Sequence, residues 1–147
     1  MILYLDSSAL VKIYVREEGT PEVRQAVTQA QYVGTSQITK VEVPSALMKL
    51  SRLHILDSGT AQTYLKLFLE QWPDFSSLAL TNEVTERALR LVMHYPLRGF
   101  DAVHLATALV WQDLIGHQIT FATFDKQLWR AAAKTNLSPF PVDIVQG

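Results

Sequence analysis

Four acidic residues lie at predicted boundaries between secondary-structure elements, and they are the candidates for chemistry in this chain. They are Asp6, Glu42, Asp101 and Asp125. Clustered carboxylates repel one another and are costly unless cations neutralise them. Hard oxygen ligands with no thiolate nearby suit Mg²⁺ or Mn²⁺. If the four side chains meet, their chemistry is that of metal-assisted phosphodiester cleavage.

The elements that must position these acids alternate between strand-like apolar runs and helical patterns. This alternation predicts an α/β fold with a mainly parallel central sheet. In such sheets, ligands bind beyond the carboxyl ends of the strands, where the following helices also begin. Asp6 and Asp125 follow predicted strands, whereas Glu42 and Asp101 sit near helix starts, so one edge can collect all four. The predicted strands are residues 2–5, 32–35, 78–80, 119–122 and, weakly, 142–145.

Apolar residues at helical spacing predict the helices between these strands. Two of them, at 39–53 and 58–72, follow one another with no strand between, which predicts a helical hairpin projecting from the sheet. Pro44 lies near the start of the first and can kink its first turn, tilting Glu42. A short helix after Asp6 is expected to stop near Gly19, with Pro21 opening the next. The remaining predicted helices cover residues 84–95, 102–109 and 126–134.

Composition indicates one globular domain spanning residues 1–147. Hydrophobic residues make up 48% of the chain, enough for a sizeable core. The net charge of -1 gives no bulk support for nucleic-acid binding, which would need a local basic patch. The chain has no cysteine, which excludes disulfides, Cys-ligated zinc and thiol catalysis. With neither a signal-peptide pattern nor a bilayer-length apolar run, a soluble intracellular protein is expected.

Each acid also has a plainer interpretation as a helix cap. Glu42 closes a capping-box pattern that starts at Thr39, and taken alone this role is favoured. Asp101 and Asp125 can each be an ordinary N-cap. Asp6 can share a capping role with Ser7 and Ser8, although a carboxylate at the end of an interior strand needs a partner or a cation. The joint pattern, rather than any one residue, supports a site.

Other polar residues near this edge have two interpretations each. Ser7 and Thr123 can form a hydrogen bond with a carboxylate or a water molecule. A role for Ser7 as a nucleophile is disfavoured, because no Gly-x-Ser-x-Gly motif surrounds it. His104 lies one helical turn after Asp101, and a partly buried histidine bonded to an acid is favoured over a general base. Solvated charge is the usual interpretation of the basic residues, and phosphate binding is the alternative. The basic residues nearest the edge are Lys12, Lys40, Arg98 and Lys126.

Four segments, in order along the chain, resemble the motifs of PIN-domain nucleases. The opening Leu5-Asp6-Ser7-Ser8 looks like the first motif, and Leu97 to Ala108, around Asp101, closely matches the third. The segments from Thr39 through Leu47 and from Thr123 to Leu128 resemble the second and fourth. The resemblance covers the chain from Met1 to about the final strand. Its specificity comes from the presence of all four motifs in order.

Within that family, this compact form is most similar to VapC-type toxins of bacterial and archaeal toxin–antitoxin pairs. The resemblance implies a Mg²⁺- or Mn²⁺-dependent endoribonuclease, acting in the cytoplasm as a homodimer and held by a cognate antitoxin. It assigns metal and catalytic roles to Asp6, Glu42, Asp101 and Asp125, with Ser7 and Thr123 as weaker supports. Contacts with RNA phosphates would then fall to Lys12, Lys40, Arg98 and Lys126.

Other functions stay open at the level of sequence. One is a PIN-like nuclease that is not a toxin. A metal-dependent phosphatase with Asp6 as nucleophile is disfavoured, because the usual Asp-x-Asp pattern is broken by Ser8. A receiver-like module would use Lys126 and leave Glu42 without a role. A non-catalytic interaction module would use the apolar stripe of the hairpin for dimerisation alone.

Overall fold

A five-stranded, all-parallel sheet forms the centre of the protein in the computed structural model, which describes residues 1–144. Its strand order is β3-β2-β1-β4-β5, and every neighbouring pair is parallel. The predicted α/β class with a parallel sheet is therefore confirmed. The strands are β1 (Ile2–Leu5), β2 (Tyr32–Ser36), β3 (Ser76–Leu78), β4 (Ile119–Ala122) and β5 (Ser138–Phe140).

Helices cover both faces of the sheet and bury two separate apolar clusters. Helices α1 to α4 pack with Leu3 and Leu5 on one face, and α5 to α7 pack with Tyr4 on the other. Within residues 1–144 no helix is both long and apolar enough to cross a membrane. The helices are α1 (Ser7–Leu10), α2 (Thr20–Gln29), α3 (Thr39–Arg52), α4 (Ser58–Gln71), α5 (Asn82–His94), α6 (Gly99–Ile115) and α7 (Lys126–Ala133).

The sheet changes direction between β1 and β4. From β1 the chain builds β2 and β3 outward on one side, then crosses to place β4 and β5 on the other. Such a switch point is where open parallel sheets bind ligands. The two strands are held in register there by Tyr4 and Phe121, which face one another and stack with ring centroids 5.3 Å apart.

A close approach of helix to sheet fixes the position of α6. Gly34 of β2 lies directly under Trp111, and a Cβ at this position would come 2.5 Å from the Trp111 Cζ3 atom. Real Cβ atoms essentially never approach so closely, so only glycine lets the helix sit at this depth. The register of α6 in turn sets the positions of Asp101 and His104.

Two edge strands lie elsewhere than the sequence suggested. Strand β3 is Ser76–Leu78, two residues before the predicted 78–80, because the polar residues Ser76 and Ser77 pair with β2. Strand β5 is Ser138–Phe140 instead of 142–145. Its Pro139 is tolerated because an edge strand bonds on one side only. Of the predicted segment, residues 142–144 form no strand, and residue 145 lies outside the described residues.

The helix that follows Asp6 is also shorter than expected. Helix α1 ends at Leu10 and continues as one 3₁₀ turn, Val11–Ile13, so the helix does not run to Gly19. Gly19 has a φ of 91° and directly precedes α2. Pro21 lies in the first turn of α2, as predicted, where a missing N–H costs no hydrogen bond.

The predicted helical hairpin is confirmed as α3 and α4. Its base is anchored to the sheet by buried Val43, Leu47 and Phe68, while Leu53 and Ile55 at its tip are exposed. Pro44 lies inside α3 without ending it. The chain of α3 therefore carries Glu42 in its first turn on a helix fixed to the core.

Candidate active site

The four predicted acids line one cleft at the carboxyl edge of the sheet. It opens beside the ends of β1 and β4, and its volume is about 340 Å³. The carboxylates come from four different places in the chain, each next to a strand end or a helix start. The lining residues are Asp6, Ser7, Ser8, Glu42, Arg98, Asp101, His104, Phe124 and Asp125.

Asp6 is the most deeply placed of these acids, with 3% of its surface exposed. Its Oδ1 accepts from the Ala9 backbone N–H at 2.9 Å and from the Ser8 hydroxyl at 2.7 Å. Its Oδ2 accepts from the Thr123 hydroxyl at 2.5 Å. Asp6 thus caps α1 and lines the cleft at once, so the two sequence interpretations were not exclusive.

Burial raises the pKa of Asp6 above its usual value of 3.8. Attraction to His104 and the bonds from Thr123, Ser8 and Ala9 act in the opposite direction without offsetting the burial. A buried carboxylate that is costly to ionise favours a nearby cation. The structure therefore places at the switch point an acid whose charged form needs positive charge in the cleft.

Glu42 faces the cleft and does not cap its own helix. Its Oε1 accepts from the Ser7 hydroxyl at 2.5 Å and from His104 Nε2 at 2.7 Å. The capping-box interpretation is wrong, because α3 begins after Ile38 with no side-chain cap and Thr39 instead bonds Thr35. Burial tends to raise the pKa of Glu42, but the bonds from His104 and Ser7 outweigh it and lower that pKa.

His104 joins Glu42 to the core of the protein. The ring is 2% exposed, and its Nδ1 lies 2.8 Å from the hydroxyl of Tyr4. Burial, and then the negative charge of Asp6, raise the pKa of Tyr4 well above its usual value, so Tyr4 keeps its proton. The expected buried histidine bonded to an acid is confirmed. Its acid is Glu42, across the cleft, rather than Asp101 on its own helix.

Asp101 and Asp125 share a single arginine. Arg98 donates from Nε to Asp101 Oδ2 at 3.1 Å and from Nη2 to Asp125 Oδ2 at 3.0 Å. Asp125 also caps α7 by accepting from the Leu128 N–H, so its capping role is confirmed. Asp101 is not an N-cap, because α6 begins two residues earlier, at Gly99, and Asp101 lies in its first turn.

The donors of the cleft fit a hard divalent cation. Four carboxylates and two serine hydroxyls line it, with no thiolate, which matches the oxygen ligands of Mg²⁺ or Mn²⁺. Within residues 1–144, however, no three acidic or histidine side chains are arranged so that they could hold a metal ion together. The guanidinium of Arg98 lies between Asp101 and Asp125 and supplies positive charge there.

Of the four basic residues proposed to contact phosphates, Arg98 alone lines the cleft. Lys12 is turned inward, bonding Glu17 and the Glu18 carbonyl and lying 4.4 Å from the centroid of the Phe124 ring. Lys40 is exposed in the first turn of α3, and Lys126 is half-buried at the start of α7.

Sequence reasoning overlooked the part of Tyr4 and the bond that Ser8 accepts from Phe124, although one of the two serines was expected to orient Asp6. Ser8 both donates to Asp6 and accepts from the Phe124 backbone N–H, tying the end of β1 to the segment after β4. Alternation along β1 was the available signal for Tyr4, since it sets that side chain on the opposite face from Leu3 and Leu5. Thr123, in contrast, was expected to bond a carboxylate, and it bonds Asp6.

Comparison with known proteins gives a consistent result. The family described as PIN domain matches residues 3–134. Ribonuclease VapC3 of Pyrobaculum aerophilum is 32% identical over 130 residues, covering 87% of this chain and 92% of that protein. Ribonuclease VapC45 of Mycobacterium tuberculosis is 28% identical over 144 residues, covering 97% and 98%.

Solved structures share the fold at low sequence identity. A chain in a toxin–antitoxin complex from Klebsiella pneumoniae superimposes with a TM-score of 0.67 at 19% identity. The match covers 97% of this chain and 99% of that one. At this identity the likeness concerns the fold.

Proposed function

The chain belongs to the PIN-domain family, among the VapC ribonucleases, and we propose that it is an endoribonuclease whose active site is the four-carboxylate cleft. The convergence of Asp6, Glu42, Asp101 and Asp125 in one cleft at the switch point carries this proposal. Dependence on a divalent metal is typical of the family, and the all-oxygen donor set favours Mg²⁺ or Mn²⁺ here.

In the proposed mechanism the four carboxylates hold the cation that the reaction needs. A divalent cation bound there would lower the pKa of the attacking water and offset charge on the scissile phosphate. Asp6 and Glu42 would contribute oxygens whose positions are fixed by hydrogen bonds from Ser7, Ser8, Thr123 and His104. Asp101 and Asp125, which line the same cleft, would add their carboxylates to the set. Ser7 and Thr123 act by orienting Glu42 and Asp6, respectively.

The reaction is hydrolysis rather than transfer to the neighbouring ribose. Water attacks the phosphorus in line, the bond to the 3′ oxygen breaks, and that oxygen takes up a proton. The products are a 5′-phosphate and a 3′-hydroxyl. Arg98 uses two of its five N–H donors on Asp101 and Asp125, which leaves others for a phosphate oxygen of the RNA. We assign it the phosphate contact nearest the reaction.

We further propose that the protein is the toxin of a type II toxin–antitoxin pair in the cytoplasm, with a cognate antitoxin as its protein partner. The support is its family and the similarity of its fold to a chain of a toxin–antitoxin complex. A homodimer is proposed as well. Leu89 and Met93 expose apolar side chains one turn apart on α5 and offer a surface for it.

Cleavage of a total RNA pool by the purified protein tests the proposed activity. We expect discrete fragments with Mg²⁺ or Mn²⁺, none with EDTA, and none from the Asp6→Asn variant. End mapping should find 5′-phosphates and 3′-hydroxyls. Products ending in 2′,3′-cyclic phosphates would contradict the mechanism, and undiminished cleavage by Asp6→Asn would contradict the site. Purification under denaturing conditions followed by refolding removes any co-purified inhibitor.

A further inference from the structure

A chain of four side chains leads from the buried sheet to one oxygen of the cleft. Tyr4 on β1 contacts His104 on α6, and His104 contacts Glu42 on α3. Ser7 on α1 donates to the same Oε1 atom of Glu42 and lies 3.3 Å from His104 Nε2. Three helices and a central strand therefore meet at a single carboxylate.

The hydrogen-bonding capacity of each group fixes the direction of this chain. The ionised carboxylate of Glu42 can only accept, so the proton at this contact lies on His104 Nε2. The other ring nitrogen, Nδ1, lies 2.8 Å from the Tyr4 hydroxyl. The ring is thus held by two partners, one on each side.

Both donors to Glu42 end on Oε1, which leaves Oε2 for other ligands. The Glu42 side chain is 31% exposed and lines the cleft, whereas His104 is buried behind it. A ligand carboxylate held on one oxygen, with its other oxygen free, is oriented in the manner of metal ligands fixed by a second layer of hydrogen bonds.

We propose that His104 is a positioning residue of the active site: its Nε2–H holds Glu42 Oε1, and the Tyr4 hydroxyl holds the imidazole ring from its other side. This inference rests on the proposed metal-dependent function of the cleft. It gives Tyr4 and His104 a purpose beyond packing, and it predicts that they act on the metal through Glu42 without touching it.

Two substitutions of His104 separate positioning from packing. In His104→Gln the side-chain amide reaches about as far as Nε2 and keeps a donor for Glu42. In His104→Asn the amide stops near the position of Nδ1 and loses that donor. We expect the Mn²⁺ dissociation constant of the RNA-free protein to rise about 10- to 100-fold in His104→Asn and only a few-fold in His104→Gln.

Tyr4→Phe tests the outer link, because it removes the hydroxyl while keeping the ring that stacks on Phe121. We expect a rise in the Mn²⁺ dissociation constant smaller than that of His104→Asn, on the order of 3- to 10-fold. Phe121→Leu is the matched control, since it loosens the same cluster and leaves all of the hydrogen bonds. It should lower the melting temperature without changing Mn²⁺ affinity.

Binding of Mn²⁺ measured by calorimetry, together with kcat and KM for a cleaved RNA, decides the matter. Positioning predicts that kcat falls in His104→Asn while KM for RNA stays nearly constant, and that Gln rescues both Mn²⁺ affinity and kcat. Equal Mn²⁺ affinity in wild type and His104→Asn would overturn the proposal, as would equal loss in the Asn and Gln variants. Asp6→Asn separates the two levels: if it too binds Mn²⁺ normally, the metal site itself is misplaced.

Discussion

Asp6 and Glu42 are held by hydrogen bonds from buried and half-buried side chains, whereas Asp101 and Asp125 share one exposed guanidinium. The first pair receives its bonds from Ser7, Ser8, Thr123 and His104. The side chain of Arg98, which serves the second pair, is 80% exposed. One half of the cleft is therefore fixed by the fold, and the other is held by charge that solvent and salt can weaken.

The contrast shows two ways of stabilising clustered carboxylates within one cleft. Asp6 and Glu42 are stabilised by directed hydrogen bonds. Asp101 and Asp125 are stabilised by a positive side chain that bonds both of them.

The largest expected effect is on RNA cleavage, and it comes from removing the charge of Asp6. Asp6→Asn should lower the rate of RNA cleavage by at least about 100-fold, because the deepest carboxylate of the cleft is lost. The metal-free variant should nevertheless melt at a higher temperature than wild type, because the charged form of Asp6 is penalised by burial. A lower melting temperature at pH 7 would show that its hydrogen bonds outweigh that penalty.

The pH dependence of this difference follows from the raised pKa of Asp6. A carboxyl whose folded pKa exceeds its unfolded value contributes stability below the unfolded pKa, and that contribution is lost as pH rises through the folded pKa. The advantage of Asp6→Asn over wild type should thus be greatest near neutral pH and shrink as pH falls toward 3.8. Melting curves of both metal-free proteins across this window measure it.

A middle-sized effect on stability is expected from Thr123→Val, which keeps the shape of the side chain and removes its hydroxyl. Asp6 Oδ2 loses its 2.5 Å bond and the Asp125 backbone N–H loses its acceptor, which should cost about 1–3 kcal/mol of unfolding free energy. Thr120→Val, on the strand that precedes Thr123, is the control and should change stability by less than about 0.5 kcal/mol. If urea titrations gave the same loss of stability for Thr123→Val and Thr120→Val, the hydrogen bonds of Thr123 would not stabilise the Asp6 side of the cleft.

Removing the guanidinium that bonds Asp101 and Asp125 should have a smaller effect on stability, and its main effect should be on Mn²⁺ affinity. Arg98→Ala should change the free energy of unfolding by less than about 1 kcal/mol, because exposed ion pairs contribute little. It should tighten binding of Mn²⁺ to the RNA-free protein, because Asp101 and Asp125 lose their internal cation. Cleavage should still fall, because the phosphate contact is lost.

The smallest effect is expected from a matched pair elsewhere on the surface. Arg87 forms an ion pair with Asp113 at 2.8 Å. This pair lies on the surface, and neither residue lines the cleft. Arg87→Ala should leave both cleavage and Mn²⁺ affinity unchanged. If Arg87→Ala changed Mn²⁺ affinity as much as Arg98→Ala, the effect of Arg98 would come from the net charge of the protein. It would then not depend on the contacts of Arg98 with two acids.

The sequence predicted the parts of this molecule that depend on local periodicity. Strands β1, β2 and β4 and the long helices carry apolar residues at regular spacing, and the acids mark their ends. The edge strands β3 and β5 were misplaced because their polar residues and Pro139 give no apolar signal, and pairing with a neighbour decides them. The meeting of Glu42 with His104 depends on how α3 and α6 cross the sheet, which spacing along either helix does not reveal.

The hydrogen bond from Thr123 to Asp6 joins residues 117 positions apart, and the strands that they directly follow are neighbours in the sheet. During synthesis the chain emerges from its N-terminus, so β4 appears after β1, β2 and β3. A nascent chain that has exposed only the first three acidic segments lacks β4, which is one of the two partner strands of β1, and also lacks the Thr123 donor. The cleft can therefore be completed only after the segment that follows β4 has been synthesised.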